Sequence, residues 1–104
     1  DDTAMEFLLA GGCGVITVTG NVAPKLFHDM CMASINGDRN KAQEINAKLE
    51  RLNKDLFVES NPIPVKWCLT EMGLFPTGTR LPMTTLSNIY HDTLRQALKA
   101  AGSI

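Results

Sequence analysis

The fold class predicted for this chain is a mostly α-helical piece of an α/β protein, with one strand and no second strand to pair with it. Three observations carry that expectation. Val15-Ile16-Thr17-Val18-Thr19 is β-branched at every position, a composition that suits a pleated, half-buried surface. Elsewhere apolar residues recur at helical intervals, most regularly at Ala42, Ile45, Leu49, Leu52 and Leu56, which step by 3, 4, 3 and 4. Finally, a lone strand leaves backbone donors and acceptors open along both edges, which burial does not tolerate. The expected repair is neighbouring strands supplied by chain that precedes Asp1.

In order, Thr3-Ala4-Met5-Glu6 has the form of a capping box, with Met5, Leu8 and Leu9 as the apolar face of a short helix stopped by Gly11-Gly12. The strand at about 15–19 follows. Gly20-Asn21 ends it, and Asn21 is placed to cap a second helix with Pro24 in its first turn. Leu26, Phe27, Met30 and Cys31 give that helix a buried face, and Asn36-Gly37-Asp38 closes it. Asp38 can then cap a long helix along the Ala42 to Leu56 seam, with Lys41, Glu44, Lys48, Arg51 and Lys54 on the wet side. Asn61-Pro62-Ile63-Pro64 breaks the pattern, and a short helix is expected over 65–72, ended by Gly73. Residues 74–83, with Pro76, Gly78 and Pro82, read as a loop. A last helix is expected from near Thr85, with Leu86, Ile89, Tyr90, Leu94, Ala97, Leu98 and Ala101 on one side and Gly102 at its end.

The 104 residues suffice for one small domain, and 44% hydrophobic with 20% charged residues is ordinary for a globular protein. A net charge of −1 gives no electrostatic reason to expect nucleic acid or an anionic membrane as partner. No apolar run approaches the roughly 20 residues of a bilayer span. Asp1-Asp2-Thr3 lacks the basic start of a signal peptide. Cys13, Cys31 and Cys68 are odd in number and widely spaced, which points to reduced thiols in a cytoplasmic protein rather than a disulfide framework. His28 and Cys31 could share a helix face, but two ligands do not make a metal site, and no metal or other cofactor is expected.

Gly11-Gly12-Cys13-Gly14 resembles a phosphate loop only superficially. Such loops run from strand to helix so that helix amides meet the anion, whereas these glycines run from helix to strand. A tight helix-to-strand return is the expected role. The other end of the strand, residues 17–21, is where ligands gather in parallel α/β folds. Residue types alone do not separate that from an ordinary connection.

Gly11-Gly12-Cys13-Gly14-Val15-Ile16-Thr17-Val18-Thr19-Gly20-Asn21-Val22-Ala23-Pro24 is similar to the last barrel strand of the dihydrodipicolinate synthase (4-hydroxy-tetrahydrodipicolinate synthase) family. So are Leu56-Phe57-Val58-Glu59 running into Asn61-Pro62-Ile63-Pro64-Val65-Lys66-Trp67, and Arg80-Leu81-Pro82-Met83-Thr84. The three segments are collinear and span nearly the whole chain. Thr17 stands where serine is frequent, Gly20 where alanine is frequent, and Cys13 at a variable position. The resemblance implies the carboxy-terminal part of a (β/α)8 TIM barrel. Residues 1–36 would be its end (helix, last strand, helix), and residues 37–104 a C-terminal three-helix extension. It implies a lyase that condenses pyruvate with L-aspartate semialdehyde in lysine and diaminopimelate synthesis, acting as a homo-oligomer, commonly a tetramer. It also implies pyruvate held as a Schiff base on a lysine upstream of this segment, the imine serving as electron sink. Ile16 is the one substrate-binding position the resemblance assigns, through its backbone. No catalytic residue is expected within the chain, and Tyr90 is expected in the core rather than in a proton relay.

A typical (β/α)8 barrel takes about 250 residues, so 104 cannot hold one, and the isolated piece is expected to be inactive. The rival from another class is a free-standing helical interaction module, its strand added to a partner's sheet edge. A cysteine-nucleophile enzyme using Cys13 or Cys31 lacks an acid–base partner in sequence reach.

Overall fold

A computed structural model describes residues 1–77 and 84–104. Its helices are α1 (Ala4–Leu9), α2 (Pro24–Ile35), α3 (Arg39–Asp55), α4 (Ile63–Glu71) and α5 (His91–Ala100). Single 3-10 turns lie at Thr19–Asn21 and Asn88–Tyr90. No helix is long and apolar enough to cross a membrane among the described residues.

The core is built where the apolar spacing is most regular. Ala42, Leu49, Leu52 and Leu56 of the α3 seam are fully buried, and Ile45 is partly so. They meet Phe27 and Met30 of α2 and Leu94, Ala97 and Leu98 of α5, so α3 is the central helix. Each such leucine contributes roughly 1.5–3 kcal/mol through burial. Asp38 starts α3 as expected: its Oδ1 accepts from the Lys41 amide at 3.1 Å. Gly37, at φ +78, makes the left-handed turn that separates α2 from α3 and that a Cβ would strain.

Several expectations fail. No strand is present among the described residues: 12–17 have no regular structure, Val18 is a bend, and Thr19 already enters a 3-10 turn. A strand exists only through its ladder, and no partner segment lies alongside to form one. Thr3 precedes α1 but makes no capping bond, because its φ −103, ψ 0 is not the extended geometry a cap side chain needs. Glu6 does not reach back either; its Oε1 binds Arg39 Nη1 at 3.0 Å. Asn21 does not cap α2. It sits in the 3-10 turn and its Nδ2 donates to the Val18 carbonyl at 3.0 Å, leaving Ala23 at the cap position.

The short fourth helix begins at Ile63, two residues ahead of the expected start, with Pro62 at its cap position; Ile63 N–H bonds the Ser60 carbonyl at 2.9 Å and turns the chain early. The last helix starts later than expected, after Tyr90. Glu59 is the cause: its carboxylate accepts from Ser87 N at 2.9 Å and Ser87 Oγ at 2.7 Å, fixing Ser87 at φ −62, ψ 139. Those bonds also hold the Glu59 carboxyl below its usual range. Leu86 is buried ahead of the helix, whereas Ile89 is exposed rather than on the apolar side. The Arg80-Leu81-Pro82-Met83 segment and most of the expected 74–83 loop lie outside the described residues.

Candidate functional site

The segment between α1 and α2 has little regular backbone of its own: residues 12–17 belong to no helix or strand. Gly11, at φ +111, turns the chain out of α1. The return is close: a Cβ at Gly12 would meet the ring of Phe7, an exposed side chain that would have to swing aside. Cys13 and Gly14 are exposed, and the Ile16 side chain is completely exposed at 101%. Val15 and Val18 pack against the helical core. Ile16 thus lies on the open side of a segment anchored from behind.

Side chains replace the missing ladder at the downstream end. Asp1 Oδ2 accepts from the amides of Val18 and Thr19, both at 2.9 Å, and lies 3.1 Å from Thr19 Oγ1. The same hydroxyl is 2.7 Å from Asn53 Oδ1, on α3. A hydroxyl carries one proton, so Thr19 is a shared node between the two acceptors. Thr19 is fully buried and Asn53 nearly so, which strengthens these contacts. Thr17 Oγ1 accepts from Gly20 N at 3.0 Å, and Ser103 Oγ donates to the Val22 carbonyl at 2.8 Å. The exit of the segment is therefore tied to α3 and to the end of the chain. Asp1 Oδ1 is buried and unpaired, a costly state for a carboxylate oxygen.

A second concavity of about 390 Å³ lies between α4 and α5. Trp67 and His91 stack there with ring centroids 4.6 Å apart and planes 23° apart. The Arg95 guanidinium lies 5.4 Å from the Trp67 ring, and its Nε binds Glu71 at 2.8 Å. With Arg95 paired to Glu71 and the rings stacked on one another, this cleft reads as packing between two helices. Among the described residues no three His, Cys, Asp or Glu side chains converge as metal ligands. Cys13 is exposed, Cys31 half-buried and Cys68 buried. Burial, aided by the Glu71 charge, pushes the Cys68 thiol up to about 12. The chain's lysines, Lys25, Lys41, Lys48, Lys54, Lys66 and Lys99, all sit on helices and none on residues 11–23. Tyr90 is partly buried against the core.

A model of the dihydrodipicolinate synthetase family matches residues 1–101. The chain belongs to that family. It is 59% identical over 102 residues to the 4-hydroxy-tetrahydrodipicolinate synthase of Thioalkalivibrio sulfidiphilus, covering 98% of this chain and 35% of the relative. To that of Nitrosospira multiformis it is 58% identical, covering 98% and 34%. The crystal structure of a chloride-inhibited dihydrodipicolinate synthase from Acinetobacter baumannii complexed with pyruvate superposes with a TM-score of 0.95 at 50% identity, covering 99% of this chain and 35% of that one. The chain spans about a third of the length of these relatives, matching their C-terminal part. Its fold is accordingly that of the C-terminal part of a family (β/α)8-barrel enzyme, and it is mostly helical.

The resemblance assigns Ile16 but not the side chains that hold the exit of its segment at Val18 and Thr19. Asn53 offered a signal: it lies four residues after Leu49 and three before Leu56, so it shares the buried face and needs a polar partner there. Asp1 offered none, since its contact spans 17 and 18 residues of chain.

Proposed function

We propose that this chain is the C-terminal part of a pyruvate-dependent Schiff-base lyase that condenses pyruvate with L-aspartate semialdehyde in lysine and diaminopimelate synthesis. Residues 1–36 would complete the barrel and residues 37–104 form the helical extension of a cytoplasmic homo-oligomer. The family match over 1–101, with relatives that are synthases of this kind, carries the reading. In it, Ile16 meets bound pyruvate through its backbone and contributes no chemistry through its side chain. Two features of the segment support that role. Ile16 stands on the open side, and, among the described residues, 13–17 make no backbone–backbone hydrogen bond that would compete with pairing to neighbouring strands. In this reading, as in the family it resembles, the imine-forming lysine is that of the upstream barrel, and no lysine of this chain falls on residues 11–23.

Borohydride trapping with pyruvate tests this directly. The 104-residue chain alone should gain no mass. The same chain, replacing the matching C-terminal third of a family synthase, should give one adduct per subunit. A stoichiometric adduct on the isolated chain, or none on a folded graft, would sink the proposal.

A further inference from the structure

We infer that Thr19, acting with Asp1 and Asn53, is a positioning residue that fixes the Ile16 backbone for pyruvate; the inference rests on the function proposed above. In the proposed arrangement strand pairing holds the segment along its length, and the chain leaves that pairing within three residues of Ile16, at the 3-10 turn that begins at Thr19. At that exit the Asp1 carboxylate grips two consecutive amides at 2.9 Å, and the Thr19 hydroxyl joins this grip to Asn53 on the central helix at 2.7 Å. Amides held by a carboxylate form short, charge-assisted bonds, roughly twice as strong as neutral ones. Burial of Thr19 keeps water from competing for them. The node thus ties the exit of the segment, at Val18 and Thr19, to the central helix α3. A shift of about 1 Å in such a contact is enough to cost two orders of magnitude in rate.

The test uses the graft of this chain onto the upstream part of a family synthase. Thr19→Val keeps the shape and deletes the hydroxyl, whereas Thr19→Ser keeps the hydroxyl. The Val variant should raise KM for pyruvate about fivefold or more, the size of one lost hydrogen bond. KM for aspartate semialdehyde should stay within about twofold, and Thr19→Ser should restore the pyruvate value. A merely structural role would lower the thermal midpoint and the active fraction, and leave both KM values alone. If Thr19→Val does not fold, amide exchange in the unsubstituted graft and in one carrying Asp1→Ala decides. Val18 and Thr19 should exchange at least about tenfold faster in the Asp1→Ala graft when the node is the anchor. Equal exchange, or an unchanged pyruvate KM in a folded Val variant, overturns the inference while the borohydride adduct still forms. A graft that forms no adduct overturns both this inference and the function beneath it.

Discussion

Helices α2, α3 and α5 and the segment at residues 12–21 are built on opposite principles. The helices satisfy their backbone within themselves and exclude water with a core that includes Met30, Leu49, Leu52, Leu94 and Leu98, all fully buried. The segment has little of either: Val15 and Val18 only lean on that core. Its anchors from elsewhere in the chain are the Asp1 carboxylate, the Asn53 amide and, just past its end at Val22, the Ser103 hydroxyl. A helix is legible and stable wherever its periodicity is good, whereas a strand is a property of its neighbours. In this molecule the self-sufficient region supplies stability and the dependent one carries the proposed site.

The comparison breaks most sharply at the core. Leu52→Ala should cost roughly 2–5 kcal/mol, since Leu52 is fully buried at the centre of the α3 seam. Denaturant unfolding monitored by helical circular dichroism measures it. A loss below about 0.5 kcal/mol would mean the seam is not the structural centre.

Two effects of about 1 kcal/mol come next. Cys68 has its thiol raised to about 12 from an ordinary 9.0, chiefly by burial. The unfolded chain therefore releases this proton first. Stability from the buried neutral thiol is complete below pH 9 and is lost as pH rises towards 12, by about 1 kcal/mol between pH 9 and 10. Comparing unfolding midpoints of the parent and Cys68→Ala across that range isolates the slope. Parallel pH profiles would show the thiol is not buried in solution. At the helix ends, Asp38→Ala should cost about 1 kcal/mol because the side chain bonds the Lys41 amide, whereas Thr3→Ala should stay within about 0.5 kcal/mol because Thr3 makes no such bond. Equal costs from the two, measured in urea, would contradict that difference.

How much of this was readable beforehand follows the same division. The Ala42 to Leu56 seam, the Asp38 cap and the Gly37 turn are local patterns, and the structure reproduces them. Thr3 and Glu6 carried a valid local signal that a distant residue overrode, since Arg39 takes the Glu6 carboxylate. The start of α5 was misplaced for a similar reason: Glu59 holds Ser87 from 28 residues away. Ile16 was named from a family resemblance, and nothing in its own pattern told a site from a connection. The Asp1–Thr19–Asn53 node was missed because it joins three distant positions whose meeting depends on the fold.

The smallest expected effect separates the two regions most cleanly. One glycine inserted between Cys13 and Gly14 enters an exposed stretch where a Cβ at Gly14 would meet nothing. Lengthening a flexible connection costs little, because closure entropy grows only slowly with length. The helices, whose core residues lie elsewhere, should lose about 0.5 kcal/mol or less in the 104-residue chain. In the graft onto an upstream barrel the same residue has a different consequence. There, in the proposed arrangement, neighbouring strands pair with the segment, and a one-residue slip turns each later side chain to the opposite face. Pyruvate trapping should then be abolished while the helical unfolding transition remains close to that of the parent. A large loss of stability in the isolated chain would show that the segment is part of the helical core after all. Retained trapping in the graft would remove the strand register, and with it the position assigned to Ile16.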